Sequence, residues 1–219
     1  MIKVDLHIHT HYSGDSDTSL EQLTERCQKL GLGAIAVTDH GTAEGALKLS
    51  RQNTPFKLIV GEEIESSEGE IIGLFLKKSI PCRLSPEETI RRIREQGGLV
   101  CIPHPFDRYR SSAMQSATLE RIADQVDIIE VFNARTIQLQ NLKLPNEFAG
   151  RHHLLAGAGS DAHSLAEIGR AYIVIPDFNS RDEFLQNMTH AKIYGKRPSM
   201  AIYCRSTLRR VRKILKRKR

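Results

Sequence analysis

Short apolar runs alternate along the chain with stretches whose apolar residues recur at helical spacing. The runs are Lys3 to Ile8, Ala34 to Thr38, Lys57 to Gly61, Glu70 to Leu76, Leu99 to Pro103, Asp127 to Phe132, Leu155 to Gly159 and Ala171 to Ile175. Several are too uniformly apolar for a strand with one wet face, and they fit strands covered on both sides. The intervening stretches carry helix punctuation. In Ser85-Pro86-Glu87-Glu88 an N-cap serine precedes an N1 proline and acidic first-turn residues, and the pattern Ile90, Ile93 stops at Gly97-Gly98. Ser19-Leu20-Glu21-Gln22 similarly opens a helix running to Leu30-Gly31. Alternating βα units predict an α/β fold, a closed or nearly closed (β/α) barrel, with an open doubly wound sheet as the alternative. No repeat, low-complexity linker or second-domain boundary interrupts the pattern. The expectation is therefore a single domain over 1–204, followed by a tail at 205–219.

Length and composition narrow this picture. A chain of 219 residues suits one domain that buries roughly 70% of its unfolded surface, so no disulfide scaffold is needed. Cys27, Cys82, Cys101 and Cys204 are widely spaced with no CxxC pair, which excludes a redox motif or zinc ribbon and favours reduced thiols. The chain opens on a charged, strand-like segment, and no apolar stretch approaches the roughly 20 residues of a membrane span. A cytoplasmic protein with no transmembrane segment is expected.

The net charge of +6 is unevenly placed. Arg205 to Arg219 holds nine Lys or Arg and no acid, leaving 23 basic against 26 acidic residues in the body. The body need not bind nucleic acid, whereas the tail could meet RNA or an anionic membrane. Leu208, Val211, Ile214 and Leu215 recur there at near-helical spacing, so the alternative is a terminal helix packed on the barrel with a frayed end.

Polar residues able to do chemistry recur where the strands end, the place where βα barrels assemble their sites. Asp5-Leu-His7-Ile-His9 ends the first run, Asp39-His40 the second, Glu62-Glu63 the third, His104 the fifth and Asp161-Ala-His163 the seventh. In an extended segment residues i and i+2 share a face, so His7 and His9 can offer both imidazoles to one cation. A single strand-end His or Asp is ordinarily a satisfied polar group or turn former; five strand ends doing this together point to a metal centre. Nitrogen and oxygen donors without thiolate suit Zn, Mn or Fe. No GxSxG elbow, Cys-His pair or P-loop offers a competing chemistry.

These residues resemble the polymerase-and-histidinol-phosphatase (PHP) phosphoesterases, from Asp5 to about Arg197. The motifs are Asp5-x-His7-x-His9-Thr10, Thr38-Asp39-His40, Gly61-Glu62-Glu63-Ile64, Ile102-Pro103-His104-Pro105 and Gly159-Ser160-Asp161-Ala162-His163. The resemblance implies a distorted seven-stranded (β/α) barrel, one strand fewer than the eight runs above. It implies two or three divalent metal ions: a first held by His7, His9, Glu63 and Asp161, a second bridged by Glu63 and held also by His104, and a third among Asp15, His40 and His163. Asp17 is a nearby competitor for Asp15. Many members read His-Ile-Leu-Gly where this chain reads Glu70-Ile-Ile-Gly, so Glu70 either replaces an imidazole ligand or faces solvent.

The activity so implied is hydrolysis of a phosphate ester, with a hydroxide held between two cations as nucleophile. His40 and His163 would serve catalysis from the third metal. Asp39 would orient the neighbouring ligand or else cap the next helix. Arg108 and Arg110 are the candidates for binding substrate phosphate, with Arg135 a weaker candidate, and Tyr109 could stack on a base or sugar. The alternative for the arginines is ordinary surface exposure. The expected substrate is a small phosphorylated molecule such as a nucleotide. A nuclease acting on oligonucleotides, with nucleic acid held by the tail, and a non-catalytic metal-stabilised partner-binding module are the alternatives.

Overall fold

The structure is a computed structural model that describes residues 1–136 and 143–196. Nine strands form one continuous sheet in the order β7-β6-β5-β4-β3-β2-β1-β8-β9. They are β1 (Ile2–Ile8), β2 (Ala34–Val37), β3 (Lys57–Ser66), β4 (Gly69–Leu74), β5 (Leu99–Ile102), β6 (Ile128–Asn133), β7 (Leu155–Gly159), β8 (Ala171–Ile175) and β9 (Lys192–Gly195). Six helices connect them: α1 (Leu20–Leu30), α2 (Glu44–Leu49), α3 (Pro86–Glu95), α4 (Ser116–Ile122), α5 (Lys143–His152) and α6 (Arg181–Met188).

The helices start where the sequence places them. Ser19 and Gln22 form a reciprocal capping box on α1, and Gly31 ends it in the left-handed conformation with φ 64°. The Ser85 side chain accepts from Glu88 N ahead of Pro86.

The seven-strand and eight-strand expectations are both refined. β1 to β7 curve into a nearly closed barrel whose ends meet at a seam, where Asp161 N donates to His7 O at 2.7 Å and His9 N to Ala162 O at 3.0 Å. β8 and the unexpected β9 extend the sheet from β1 as antiparallel strands. β9 escaped notice because Lys-Ile-Tyr-Gly is short and mostly exposed. The barrel is also not uniformly parallel, since β4 runs antiparallel to β3 and β5. Only Ser67 and Glu68 separate β3 from β4, and so short a link permits only a hairpin. The start of β4 therefore lies at the same rim as the ends of β1, β2, β3 and β5.

Inside the barrel Val4, Leu6, Ile59, Leu99 and Ile128 pack with Phe178, Phe184 and Met188 on and before α6. Phe184 lies 5.3 Å, ring to ring, from Phe75 just past β4, so α6 plugs the end opposite the rim. Outer clusters seat α3, α4 and α5 on one flank and α1 and α2 on the other. Each fully buried Ile, Leu or Phe contributes about 1.5–3 kcal/mol. The expected domain end at 204 and the basic tail lie outside the described residues.

Candidate metal centre

Every strand from β1 to β7 delivers a titratable side chain to the rim, in the strand or just beyond its end. His7 and His9 come from β1, His40 follows β2, Glu63 lies in β3 and Glu70 opens the descending β4. His104 follows β5, Glu130 lies in β6, and Asp161 and His163 follow β7. His7, His9, Glu63 and Asp161 have no measurable solvent exposure beyond 1%.

Two hydrogen-bond patterns and one close backbone approach aim these groups. Asp5 accepts from Ser160 N at 2.9 Å and Gly169 N at 3.1 Å, tying β1 to the loop that carries Asp161 and His163; burial pushes its carboxyl up to about 6. His104 and Asp161 sit at φ 32° and 51°, a left-handed backbone costing of order 1–3 kcal/mol each in non-glycine residues. Both are pinned through their amides, His104 N to Glu130 Oε2 at 2.7 Å and Asp161 N to His7 O. Gly159 lets β7 approach β1, because a Cβ there would fall 2.3 Å from the His7 Cβ.

The imidazoles are held through their second nitrogens. His7 Nδ1 donates to Glu130 Oε1 at 3.3 Å, which in the neutral ring leaves the Nε2 lone pair for a cation. His9 Nδ1 donates to Ser13 Oγ at 2.9 Å, and Ser13 donates to Asp39 Oδ1 at 2.8 Å. Carboxylate backing of this kind fixes the tautomer that a metal ligand needs.

The donors then converge. His7 Nε2 and His9 Nε2 are 3.0 Å apart; Glu63 Oε2 lies 3.4 and 3.3 Å from them, and Asp161 Oδ1 3.8 and 3.5 Å. A tetrahedral cation with bonds of about 2.1 Å spaces its ligands about 3.4 Å apart. Glu63 Oε2 and Asp161 Oδ1 are buried and accept no hydrogen bond, which is costly unless something cationic fills the space between them. The residues present therefore fit a divalent cation. A second group joins Glu63 Oε1, 2.9 Å from His104 Nε2, to Glu70 Oε2, 3.3 Å from the same nitrogen. A third joins His163 Nε2 to Asp15 Oδ2 at 3.1 Å, with His40 Nε2 3.6 Å from that oxygen. His40 turns its Nδ1 to Glu63 Oε2 at 3.0 Å and to Glu70 at 3.7 Å, so it stands between the second and third groups.

Charge follows the same layout. Burial works against a proton on His7, but the carboxylates of Glu63, Asp161 and Glu130 outweigh it and hold His7 well above the ordinary imidazole value. His40 is raised in the same way, against its burial, by Glu63 and Asp15. His9 is driven well below, by burial and by the neighbouring His163 and His40. Burial opposes ionisation of Glu63 and Asp161, yet the surrounding imidazoles and, for Asp161, Arg110 hold both well below the carboxylate range. Divalent cations at these points would take over the role of the imidazolium protons and release them.

The other expected residues divide. Asp39 was expected beside His40 or as a helix cap. Instead both its oxygens are taken, Oδ1 by Thr10 N at 2.6 Å and Ser13, Oδ2 by the Thr10 hydroxyl at 2.7 Å, and α2 has no side-chain cap. Through Ser13, whose hydroxyl also accepts from His9 Nδ1 and from the His40 amide at 3.1 Å, it reaches both histidines. Arg110 enters the site but donates to Asp161 Oδ2 at 2.5 Å. Arg135 is buried with its guanidinium against the His163 ring, 2.5 Å from Nδ1. Arg108 and Tyr109 are exposed, Tyr109 by 76%. Asp15 faces the cluster, whereas Asp17 is exposed. Sequence reasoning missed Glu130 and Asn133, whose Nδ2 donates to Glu130 and to Asp161. An acid interrupting the apolar run Ile128-Ile129-Glu130-Val131 was the available signal.

A cavity of about 260 Å³ opens beside the cluster, lined by His104, Phe106, Arg108, Glu130, Asn133 and Thr136 among others. Among the described residues no helix is long and apolar enough to cross a membrane.

A nearly closed barrel carrying a rim of imidazoles and carboxylates at cation spacing defines a metal-binding βα-barrel protein. The chain belongs to the PHP domain family: that domain's profile matches residues 5–137, and a second, described as PHP-associated, matches 142–193. A protein of Methanocaldococcus jannaschii is 40% identical over 182 residues, which are 81% of this chain and 72% of that protein. The 5′-3′ exoribonuclease Rnm of Escherichia coli is 35% identical over 98 residues, 40% of this chain and 33% of that protein. Among solved structures, a two-domain protein of Bacteroides vulgatus containing a predicted PHP-like metal-dependent phosphoesterase shares the fold at a TM-score of 0.67 and 18% identity. The match covers 89% of this chain but only 64% of that longer one.

Proposed function

We propose that the protein hydrolyses a phosphate monoester of a small molecule, using two or three divalent cations held by His7, His9, Asp15, His40, Glu63, Glu70, His104, Asp161 and His163. The observation that carries the reading is the quartet His7, His9, Glu63 and Asp161, whose donor atoms stand 3.0–3.8 Å apart with two carboxylate oxygens left without hydrogen bonds. Bound cations would supply Lewis acidity and lower the pKa of water at the rim. The chain's own residues do the rest. Glu130 and the Ser13–Asp39 relay hold His7 and His9 in their ligating tautomers. Arg110 and Arg135 bring two guanidinium groups into the same space, where a phosphoryl oxygen can be received in bidentate fashion. With two cations bound, His40 and His163 are free to hold or pass a proton at the leaving oxygen; with three, they are ligands of the third. The adjoining cavity has room for a small phosphorylated substrate, with Arg108 at its edge.

A second reading, cleavage of single-stranded polynucleotide, draws support from the exoribonuclease relative and the nine cations of the tail. A non-catalytic module is disfavoured by so complete a donor set. Phosphomonoesters, nucleoside bisphosphates and short oligonucleotides assayed with Mn, Zn and Fe test both readings. Turnover of a monoester, abolished by chelation and restored by metal, is the expected result. Undiminished hydrolysis after thorough chelation would overturn it.

A further inference from the structure

A second concavity, of about 370 Å³, lies on the barrel flank between α1, β1, β8 and β9, and none of the residues lining it belongs to the metal-binding cluster. Its polar lining is Lys3, Arg26, Arg170 and Lys196, with Tyr172 and Tyr194, and it contains no acid. Lys3, Arg26 and Arg170 direct hydrogen bonds to the main-chain carbonyls of Leu30, Leu165 and Ala166. The two tyrosine rings stack, 5.5 Å between centroids at 16°, and Lys3 Nζ covers the outer side of the pair 5.7 Å from the Tyr172 centroid. Tyr194 remains 47% exposed. A flat aromatic face ringed by four cations suits a base joined to phosphates. The chain leaves this groove at Lys196, and the next 23 residues carry ten Lys or Arg and no acid. So many like charges make the chain's own tail a poor occupant of a basic groove and extend the attraction beyond what one nucleotide requires. The loop after β7 links the two places, with Asp161 and His163 in the metal cluster and Ala166 to Arg170 at the groove.

We propose that this groove binds one nucleotide of a single-stranded polynucleotide, its base stacked on Tyr194 and its phosphates on the surrounding cations. This rests on the second, polynucleotide reading of the active site.

The probe is a 12-nucleotide oligoadenylate with a 3′ fluorophore, followed by anisotropy on the full chain carrying Glu63→Gln to slow cleavage. Added to that background, Tyr194→Ala should weaken binding about tenfold while Tyr194→Phe binds normally. Lys3→Ser with Lys196→Ser should reduce the slope of log K against log salt by about 1.4. An unchanged thermal midpoint checks folding, and Tyr194→Ala in the otherwise unaltered chain should hydrolyse p-nitrophenyl phosphate normally. Binding indifferent to Tyr194→Ala overturns the proposal. So does adenosine monophosphate binding as tightly as the 12-mer, or polyphosphate or phosphatidylserine vesicles binding more tightly and losing as much with Tyr194→Ala. If the 12-mer binds through Tyr194 but the unaltered enzyme never cleaves it, the groove stands and the nuclease reading falls. If it is cleaved with Tyr194 irrelevant, the groove falls and that reading stands.

Discussion

Glu63 reaches both halves of the cluster, with Oε2 3.3–3.4 Å from His9 and His7 and Oε1 2.9 Å from His104. Asp15 meets the third group, through His163 and His40. Glu63→Gln turns one of those oxygens into a donor, so it should lower bound metal by more than one equivalent and cut kcat/KM upwards of ~100-fold, beyond the usual cost of losing an outer partner. Asp15→Asn should remove at most one equivalent, with a smaller fall in rate. Metal analysis beside steady-state kinetics decides this, and equal small effects would refute the bridging role. Glu130 acts through His7. Glu130→Gln keeps the shape but weakens the acceptor at His7 Nδ1, so metal affinity or kcat/KM should fall about 10–100-fold, read by metal titration of the variant. Wild-type affinity and rate would remove Glu130 from the site. The ligands were legible because His, Asp and Glu at strand ends break the apolar pattern. Glu130 breaks an apolar run too, but inside a strand rather than at its end, and neither its role nor that of Asn133 was legible, because the His104 amide and Asp161 that they bond are 26 and 28 residues away in sequence.

At the level of elements, strand positions were legible from apolar runs, but strand direction was not. Glu70 shows the consequence, since it opens a strand and would have been expected at the opposite rim of a parallel barrel. The hairpin turn between β3 and β4 reverses that, bringing it to His104 and His40. β3 also carries Glu62, beside Glu63 but on the other face, as the alternation of a strand requires. Glu62 is fully buried, accepts from Ile80 N at 2.9 Å through Oε2 and has no partner for Oε1. Burial raises its carboxyl from 4.5 to about 7. A raised carboxyl means that the folded chain holds its proton more tightly than the unfolded chain, so the group costs nothing below pH 4.5. Its penalty grows between pH 4.5 and 7 and is complete above pH 7. Glu62→Gln should therefore match the native protein near pH 4 and exceed its stability by up to about 3 kcal/mol at pH 8. Urea unfolding of both proteins across that range would expose the difference. A constant offset between them would show that Glu62 does not titrate in this window.

The whole barrel closes at the seam between β1 and β7, and the proposed first cation draws its ligands from both sides of it. His7 and His9 come from β1 and Asp161 from just beyond β7, with Glu63 facing them from β3. The seam's own main-chain bonds are few, chiefly Asp161 N to His7 O and His9 N to Ala162 O, and without a metal the buried carboxylates there depend on imidazolium protons and Arg110 for compensation. A ligand that binds only the folded state stabilises it by about 2.7 kcal/mol at a hundredfold excess over Kd. For a chain of this size each kcal/mol shifts the melting temperature by roughly 2–4 °C. Stripping the metal should thus lower Tm by about 5–10 °C for each site emptied, and readdition should restore it. The loss should also be local. Amide exchange should quicken in β1, β7 and the loop from Ser160 to Gly169 more than in α3, which packs on β3, β4 and β5. A melting temperature and exchange pattern unmoved by chelation, in protein shown by metal analysis to have been loaded beforehand, would mean that the seam holds without cations and that the carboxylates are satisfied in some other way.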